Sequence, residues 1–567
     1  MIPSRRMCRA IPSLACLLAL LALSSGCARF GSFAKSRADR AAYAIIDEKA
    51  REVLDGPLGF TIEPVEDEAT QRALEHAGRV NLLDDTVTTP SHVLTLSDTL
   101  AIAFANSRSY QSSKETLFQQ ALSLTESRWD FQPLWSASGE ASLNRSESGH
   151  GTLAGATTEW FGSHNLAASV RKTFATGATI SAALTQSYTK YFTGASRSGS
   201  NPAMSFDIVQ PLLNGAGSLV AHEPLRQAER DMIYKTRTFL RSQNEFAIGI
   251  VSSYYALLQS LDSLRNQRMD YESAVYSAER SAAWADAGWQ SELEADQARQ
   301  QVLAARNRWN ARQADYLGQI DAFKIQLGLP VDLDIGPDPH DMVLLRDRGL
   351  TEIGLVLPEA IEIALDERLD LDTAADNLED ADRAVRIALR NFLPNLDLGY
   401  NYSTSENRGK DRLFPRFRDN EQQWRLDLAL PLDWTPRRNS YRNALISRER
   451  QQRSLEEKRD NVVLEVKTLW RDLEFERKNH EIQIESVRLA ERQLESSLLL
   501  QEQGRAVQRD ITEAQENLLA ARDSLTASLV SYTVKRLRFW HAIERLKIDP
   551  KGMWYELDST REPVRGE

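Results

Sequence analysis

Helix-forming sequence with few breakers fills most of the chain, and short segments of strand-like alternation interrupt it. From Arg437 to Asp549 there is no proline and a single glycine, Gly504. At a rise of about 1.5 Å per residue, the part before Gly504 alone can form a helix roughly 100 Å long. Because the mean globular helix has only about 11 to 12 residues, this length predicts a coiled-coil or helical-barrel body.

Six segments alternate between hydrophobic and polar residues with the period of a β-strand. The clearest are 396–402 and 424–432, and the weaker ones are 135–143, 166–174, 180–188 and 204–208. One apolar and one polar face over roughly 9 to 11 residues is what a water-filled transmembrane barrel requires. For any single strand, an amphipathic sheet of a soluble protein is the alternative. No run after residue 27 approaches the roughly 18 to 20 apolar residues of a membrane helix, so we expect strands to make any later membrane crossing.

The two halves of the chain repeat one plan, which indicates an internal duplication. Residues 96–133 align without a gap on residues 357–394, and further on Gly288 falls on Gly504. Each half therefore predicts a helix, a Phe-x-Pro break, strands, a very long helix, a glycine and a returning helix. The predicted segments are a signal peptide (1–27), a tether and partly ordered extension (28–90), a first repeat (91–330), a connector (331–350), a second repeat (351–549) and a polar tail (550–567).

The N-terminus has the features of an export signal. Basic residues up to Arg9 precede the apolar run 10–23, which is too short to span a bilayer, and small residues then lead to Cys27. The segment resembles a bacterial lipoprotein signal, which implies that Cys27 is cut free and acylated, although Ser24 stands where leucine is usual. An ordinary signal with an incidental cysteine is the alternative.

Composition argues against several functional classes. The 567 residues include 80 acidic and 69 basic side chains, for a net charge of -11, which argues against a nucleic-acid binder. All three cysteines lie within the first 27 residues, so none is left downstream for a disulfide or a thiolate metal site. The histidine spacings, glycine loops and serine motifs match no known catalytic, metal or cofactor pattern. We therefore expect no enzyme activity, no cofactor and no metal.

Several features together resemble the TolC-like outer-membrane efflux proteins over about residues 94–547. They are the duplicated plan, the breaks at Phe131 to Pro133 and Phe392 to Pro394, Pro211 and its neighbours before the long helix, and the spacing of Gly288 from Glu294 and of Gly504 from Asp510. The resemblance implies a mainly α fold with transmembrane β: a trimer whose protomers each add four strands to a 12-stranded barrel that continues into a long α-helical periplasmic barrel. Residues 166–188 depart from this plan by adding two strands about Gly177. We favour an extracellular hairpin over a larger barrel.

The resemblance also implies a gate, because the family closes its tunnel at the periplasmic helix turns. Here those turns contain Gly288 and Gly504, and Arg505 stands beside the second glycine. Asp510 and Glu513 are spaced i, i+3 on the returning helix, so threefold symmetry would stack them as two carboxylate rings. Glu294 is the matching acid in the first half. Solvated helix charges are the alternative for all of these residues.

The sequence thus predicts a passive exit duct of a tripartite efflux or type I secretion system in the outer membrane of a Gram-negative bacterium. The implied partners are two further copies of the chain, a periplasmic adaptor (membrane fusion protein), an inner-membrane pump and outer-membrane lipid. The alternative is a lipid-anchored periplasmic coiled-coil scaffold or adaptor, which explains the helices and Cys27 but not the alternating strands.

Overall fold

The computed structural model describes most of the chain. The described residues are 27–54, 58–63, 68–76, 78, 90–148, 157–193, 198–405, 420–503, 505–549 and 554–556. The predicted signal peptide before Cys27, the turn glycine Gly504 and most of the predicted polar tail lie outside them. Within these ranges, no helix combines the length and the apolar character needed to cross a membrane.

Helices make up most of the described structure. They are α1 (Cys27–Val53), α2 (Glu68–His76), α3 (Leu96–Asn106), α4 (Arg108–Trp129), α5 (Ser218–Ala221), α6 (Glu223–Asp286), α7 (Glu292–Leu327), α8 (Pro339–Arg348), α9 (Leu357–Glu367), α10 (Leu369–Arg390), α11 (Thr435–Glu502) and α12 (Gln508–Ala542). The very long helices predicted before both turn glycines are confirmed, since α6 has 64 residues and α11 has 68.

Among the described residues, the strands group into one large sheet and two small ones. They are β1 (His92–Leu94), β2 (Leu134–Ser148), β3 (Thr157–Thr173), β4 (Thr179–Tyr191), β5 (Gly199–Pro211), β6 (Ile335–Pro337), β7 (Asn395–Ser405), β8 (Asn420–Ala429), β9 (Leu546–Ile548) and β10 (Trp554–Glu556). The chain divides into two compact units. The sheet unit comprises Met1–Phe60, Leu117–Thr236 and Ala375–Ser454, and the helical unit comprises Thr61–Thr116, Arg237–Ala374 and Leu455–Glu567.

The helix predicted before each Phe-x-Pro break is in fact a pair of helices. Both pairs consist of 11 residues followed by 22, and they break at Ser107 and Arg368. Both break residues have extended backbone. Arg368 is buried and donates hydrogen bonds to Asp370, Glu465 and the carbonyl of Ala542. Because a buried guanidinium needs acceptors on every side, this break is fixed by its ion pairs rather than by proline.

The Phe-x-Pro breaks lie where the sequence predicts them, and the strands begin directly after each proline. Helix α4 ends at Trp129 before Pro133, and α10 ends at Arg390 before Pro394. The phenylalanines anchor the corners: Phe131 packs edge-on against His222, with ring centroids 4.6 Å apart, and Phe392 stacks on Trp434 at 5.8 Å. Pro211 is not a helix-to-strand break, because it is the last residue of β5 and pairs with Asp397.

All six long strands form one antiparallel sheet in the order β2-β3-β4-β5-β7-β8. The expectation that residues 166–188 form an extracellular hairpin is therefore wrong: β3 and β4 lie inside the sheet between β2 and β5. Their turn packs against the segment that leaves β5 toward the helices. The Gly217 amide donates to the Thr176 carbonyl at 3.0 Å, and a Cβ on Gly177 would lie 2.6 Å from the Gly215 carbonyl oxygen.

The N-terminal extension is more ordered than the sequence predicts. Ala42, Ile46 and Ala50, spaced by one helical turn, are fully buried on α1. Tyr43 packs edge-on against Phe118, with ring centroids 5.3 Å apart. A bidentate ion pair from Arg128 to Glu48, with N–O distances of 2.8 and 3.0 Å, ties α1 to α4 within the sheet unit. The connector is also ordered, since it holds β6, which pairs with β1, and half of it is α8.

The β3–β4 turn requires glycine at position 177, because the φ of Gly177 is +88°. The Gly177→Ala variant combines left-handed backbone with a backbone clash, so we expect it to destabilise the fold by at least about 1 to 2 kcal/mol. Thermal unfolding followed by tryptophan fluorescence would show a lowered Tm. Gly318→Ala, on α7 with no atom within 4 Å of the new Cβ, is the matched control and should leave Tm unchanged or raise it. An unchanged Tm for Gly177→Ala would contradict the docked turn.

Candidate functional site

One face of the six-stranded sheet is mainly apolar, although it also carries polar residues such as Lys172 and Gln186. The register aligns Val170 of β3, Ala182 of β4 and Phe206 of β5 in one row with their partners on either side. Large side chains on this face are exposed: Trp135, Leu143, Leu166, Trp424, Leu426 and Leu428. An exposed apolar surface of this extent marks a membrane or protein contact in a folded chain.

The opposite face of the sheet is polar and rich in hydroxyl groups. Ser136 and Ser169 form a hydrogen bond of 2.7 Å across β2 and β3, and Ser142 bonds to Ser163 at 2.6 Å. On β7 and β5, the Asn401 amide donates to Asp207 at 2.5 Å. Several side chains of this face therefore hydrogen-bond to each other across neighbouring strands. Together, the two faces have the pattern of a sheet with lipid on one side and water on the other.

The sheet has two open edges. Among the described residues β2 pairs only with β3, and β8 pairs only with β7. Every residue of β8 is exposed, including Trp424 at 71% and Leu426 at 63%. A long edge strand with exposed apolar residues is a template for pairing with another chain. Strand β2 runs antiparallel to β8, since strand direction alternates across the sheet.

The turn between α6 and α7 is the predicted turn at Gly288. Gly288 has a φ of +79°, and a Cβ there would meet no atom within 4 Å, so the glycine serves the backbone conformation rather than close packing. The Trp289 amide donates to the Trp284 carbonyl at 2.8 Å, which closes the end of α6. The Trp289 side chain is 82% exposed. The turn thus presents a large aromatic ring to solvent.

The predicted gate acids lie in the first turns of the two returning helices. Glu294 and Asp510 both occupy the third helical position, after the N-cap residues Ser291 and Val507. The Asp510 carboxylate accepts a hydrogen bond from the Val507 amide at 3.1 Å, so it caps α12. Glu513 is exposed one turn further on, and Arg505 is exposed before the cap. Gly504 itself lies outside the described residues.

A buried polar network joins the two hairpins beside these turns. The Gln508 amide donates to the Ser277 hydroxyl at 2.8 Å, and the Gln501 amide donates to the Gln508 carbonyl oxygen at 3.0 Å. Arg280 donates to the Gln501 carbonyl oxygen and lies over the Trp284 ring. Ser277, Gln501 and Gln508 are all buried. Helices α6, α11 and α12 are therefore linked inside the helical unit by side-chain amides that water does not reach.

The network was not predicted, although the sequence contains a signal for it. Gln508 precedes the buried residues Ile511, Ala514 and Leu518 at spacings of three and four, so it stands on the packing face of α12. A glutamine on such a face must find a partner or destabilise the helix. The predicted gate residues lie near the network but contribute no side chain to the bonds described above.

Comparison with known proteins agrees with the sequence resemblance. Residues 360–538 match the family model of the outer membrane efflux protein. No curated protein sequence matches the chain. The resemblance to TolC-like outer-membrane efflux proteins is therefore confirmed by the family match and by structural likeness.

Several solved outer-membrane proteins share this fold. The channel CusC superposes with a TM-score of 0.59 at 14% identity, over 79% of this chain and 91% of CusC. VceC from Vibrio cholerae gives 0.58 at 13% identity, over 79% and 95%. The CmeC channel of Campylobacter jejuni gives 0.59 at 13% identity, over 82% and 94%. At these identities the likeness shows the fold.

The cap formed by Asp510 distinguishes the two acids of α12 experimentally. Asp510→Ala removes a capping bond worth about 1 kcal/mol, so the first amides of α12 should exchange hydrogen roughly fivefold faster. Hydrogen exchange with mass spectrometry measures this directly. Glu513→Ala, one turn away on the same helix and with an exposed side chain, should leave exchange unchanged. Equal protection in both variants would show that Asp510 does not hold the helix end.

Proposed function

We propose that this protein is an outer-membrane exit duct of a tripartite efflux or type I secretion system. The observation that carries the proposal is the six-stranded sheet with one apolar face, one polar face and two open edges. A sheet of this kind is stable in a bilayer only if its edges are closed, because an unpaired backbone group in hydrocarbon costs several kcal/mol.

Three copies of the chain provide this closure. Strand β8 of one copy meets β2 of the next in the antiparallel direction, so each copy contributes one third of a continuous barrel. The repeated plan of the chain supports an internal duplication, since the helix pairs α3–α4 and α9–α10 have the same two lengths. Both halves therefore deliver strands to one barrel and long helices to one periplasmic body.

The other partners follow from the family likeness. An inner-membrane pump supplies the energy, and a periplasmic adaptor docks its hairpins near the helix turns, where Trp289 is exposed. Acylation of Cys27, the first residue of α1, would add a lipid anchor to the barrel. We place the protein in the outer membrane of a Gram-negative bacterium with its helices in the periplasm.

Membrane retention without the lipid tests the proposal. Residues 1–27 are replaced by an ordinary cleavable signal, which removes all three cysteines. We expect the protein to remain in the outer-membrane fraction of a Gram-negative host after urea washing, because the strands themselves insert. Fractionation followed by immunoblotting measures this.

The natural signal serves as the control in the same host. Release of the lipid-free protein in a folded, helical form would contradict the duct. It would support instead a lipid-anchored periplasmic scaffold or adaptor.

We further propose that the buried amide network holds the periplasmic end of the duct closed. Loss of the Gln508 bonds to Ser277 and Gln501 would free α12 from α6 and α11, so the returning helices could move apart. Asp510 and Glu513 would form carboxylate rings around the closed end in a trimer, with Glu294 as the matching acid of the first turn. Arg505, Gly288 and Gly504 would shape the turns at which an adaptor acts.

A variant that removes the Gln508 side chain tests whether the network holds the duct closed. Gln508→Ala leaves a buried amide and a buried hydroxyl without partners, which costs about 1 to 3 kcal/mol in the closed state. We expect the open population to rise roughly 5- to 150-fold, seen as raised single-channel conductance in planar bilayers and as sensitivity of cells to large antibiotics.

Gln515→Ala is the matched control. Gln515 bonds to Ser273 at 2.8 Å across the same helices, but in an exposed position where water can replace the bond. It should conduct like the parent. If both variants leave conductance unchanged, the network is not the closing element.

A further inference from the structure

We propose that the barrel of this protein has eighteen strands, because each of three copies supplies six, and that its wide lumen passes bulky hydrated cargo. The inference rests on the proposed function. It replaces the expectation of four strands per copy and twelve in all, and it depends on β3 and β4 being members of the barrel wall.

Backbone pairing shows that the β3–β4 hairpin is part of the wall. Strand β3 pairs with β2 from Thr157 to Arg171 and with β4 from Phe161 to Thr173. Strand β4 pairs in turn with β5 from Thr179 to Thr189. Both strands are therefore hydrogen-bonded on both sides. Removing them would leave β2 without its partner and β5 paired only with β7.

The hairpin also continues the two faces of the sheet. On the apolar face, Ala168 and Val170 of β3 lie in register with Leu184 and Ala182 of β4. On the polar face, Asn165 and Ser169 face Ser187 and Ala183. A hairpin that folded outside the membrane would have no need for a lipid face, and a slip of one residue would reverse both faces.

Because two strands are inserted, the edge strands β2 and β8 can still pair in the antiparallel direction between copies. Because β3 and β4 are two antiparallel strands, β2 and β5 keep the directions that they would have as direct neighbours. Closure of β8 on β2 of the next copy is thus possible with the hairpin in place. The docking of Gly177 against Gly215 fixes the inserted turn at the helix-facing rim.

Strand number sets the width of the lumen. Barrel diameter grows roughly linearly with strand number, so eighteen strands give about one and a half times the diameter of twelve. The added wall is lined mainly by hydroxyl groups, with the charged residues Glu159 and Arg171 near opposite ends of β3. Such a wall holds water and attracts no particular ion strongly. It therefore fits cargo that is wide, hydrated and weakly charged.

Two single-cysteine variants test whether the β3–β4 hairpin lies in the barrel wall. The chain with the replaced signal has no cysteine, so Ser169→Cys introduces one on the polar face and Val170→Cys one on the apolar face of the same strand. In outer membranes we expect a hydrophilic maleimide to label Ser169→Cys and to leave Val170→Cys unlabelled. Equal labelling of both would overturn the inference, because it would mean that the hairpin lies in water.

A second measurement gives the width. Electron cryomicroscopy of the full-length protein in lipid nanodiscs should show eighteen strands around the lumen. A trimer with twelve strands and the hairpin outside the wall would refute the inference while leaving the duct intact. Particles with no closed barrel would refute the proposed function itself. The two failures are therefore distinguishable.

Deletion of the hairpin tests the consequence for cargo. The variant lacking residues 149–192 joins Ser148 to Thr193 and leaves β2 free to pair with β5. In the cysteine-free chain with the replaced signal, with and without this deletion, Ser403→Cys places one thiol on the polar face of β7. Polyethylene-glycol maleimides of graded size should reach that thiol up to a larger size in the parent. An equal size limit in a correctly inserted deletion variant would show that the hairpin does not widen the lumen.

Discussion

Backbone hydrogen bonding across six strands is the constraint on which the rest of the structure depends. The antiparallel register places most of the large apolar side chains of the sheet on one face, and a shift of one residue would reverse the faces. Contacts at the turns between the helices and the strands hold this register in place. Phe131 packs against His222 and Phe392 against Trp434, each directly before a long helix. The Leu212 amide donates to the Leu396 carbonyl at 2.7 Å, just beyond the last pair of β5 and β7.

Much of this fold could be predicted from the sequence because it follows from local patterns. Alternation marks the strands, and proline marks the ends of the helices before them. The break at Arg368 could not be found in this way, since it depends on acceptors from residues as distant as Ala542. The position of the β3–β4 hairpin was equally hidden. Periodicity predicts which face of the sheet a residue occupies but not which strand lies beside it. The close approach of Gly177 to Gly215 joins two turns that are separate in the sequence, so a local pattern does not predict it.

The candidate gate was predicted only in outline. The Gly288 turn and the acids after it follow from sequence spacing, whereas the buried amides Gln501 and Gln508 act through contacts between helices far apart in the chain. The ordered helix α1 was not predicted because its own sequence carries too weak a pattern. Its small apolar residues Ala42 and Ala50 carry little signal, and their burial depends on the partner helix.

In the proposed trimer, the β3–β4 insertion has a further consequence because it consists of an even number of strands. A single added strand would reverse one edge of the sheet, and antiparallel closure between copies would fail. Strand pairs are therefore the smallest viable unit of growth, and threefold symmetry multiplies each pair by three. In a trimeric barrel of the proposed kind, the circumference would therefore change only by whole multiples of six strands, because threefold symmetry forbids the intermediate sizes.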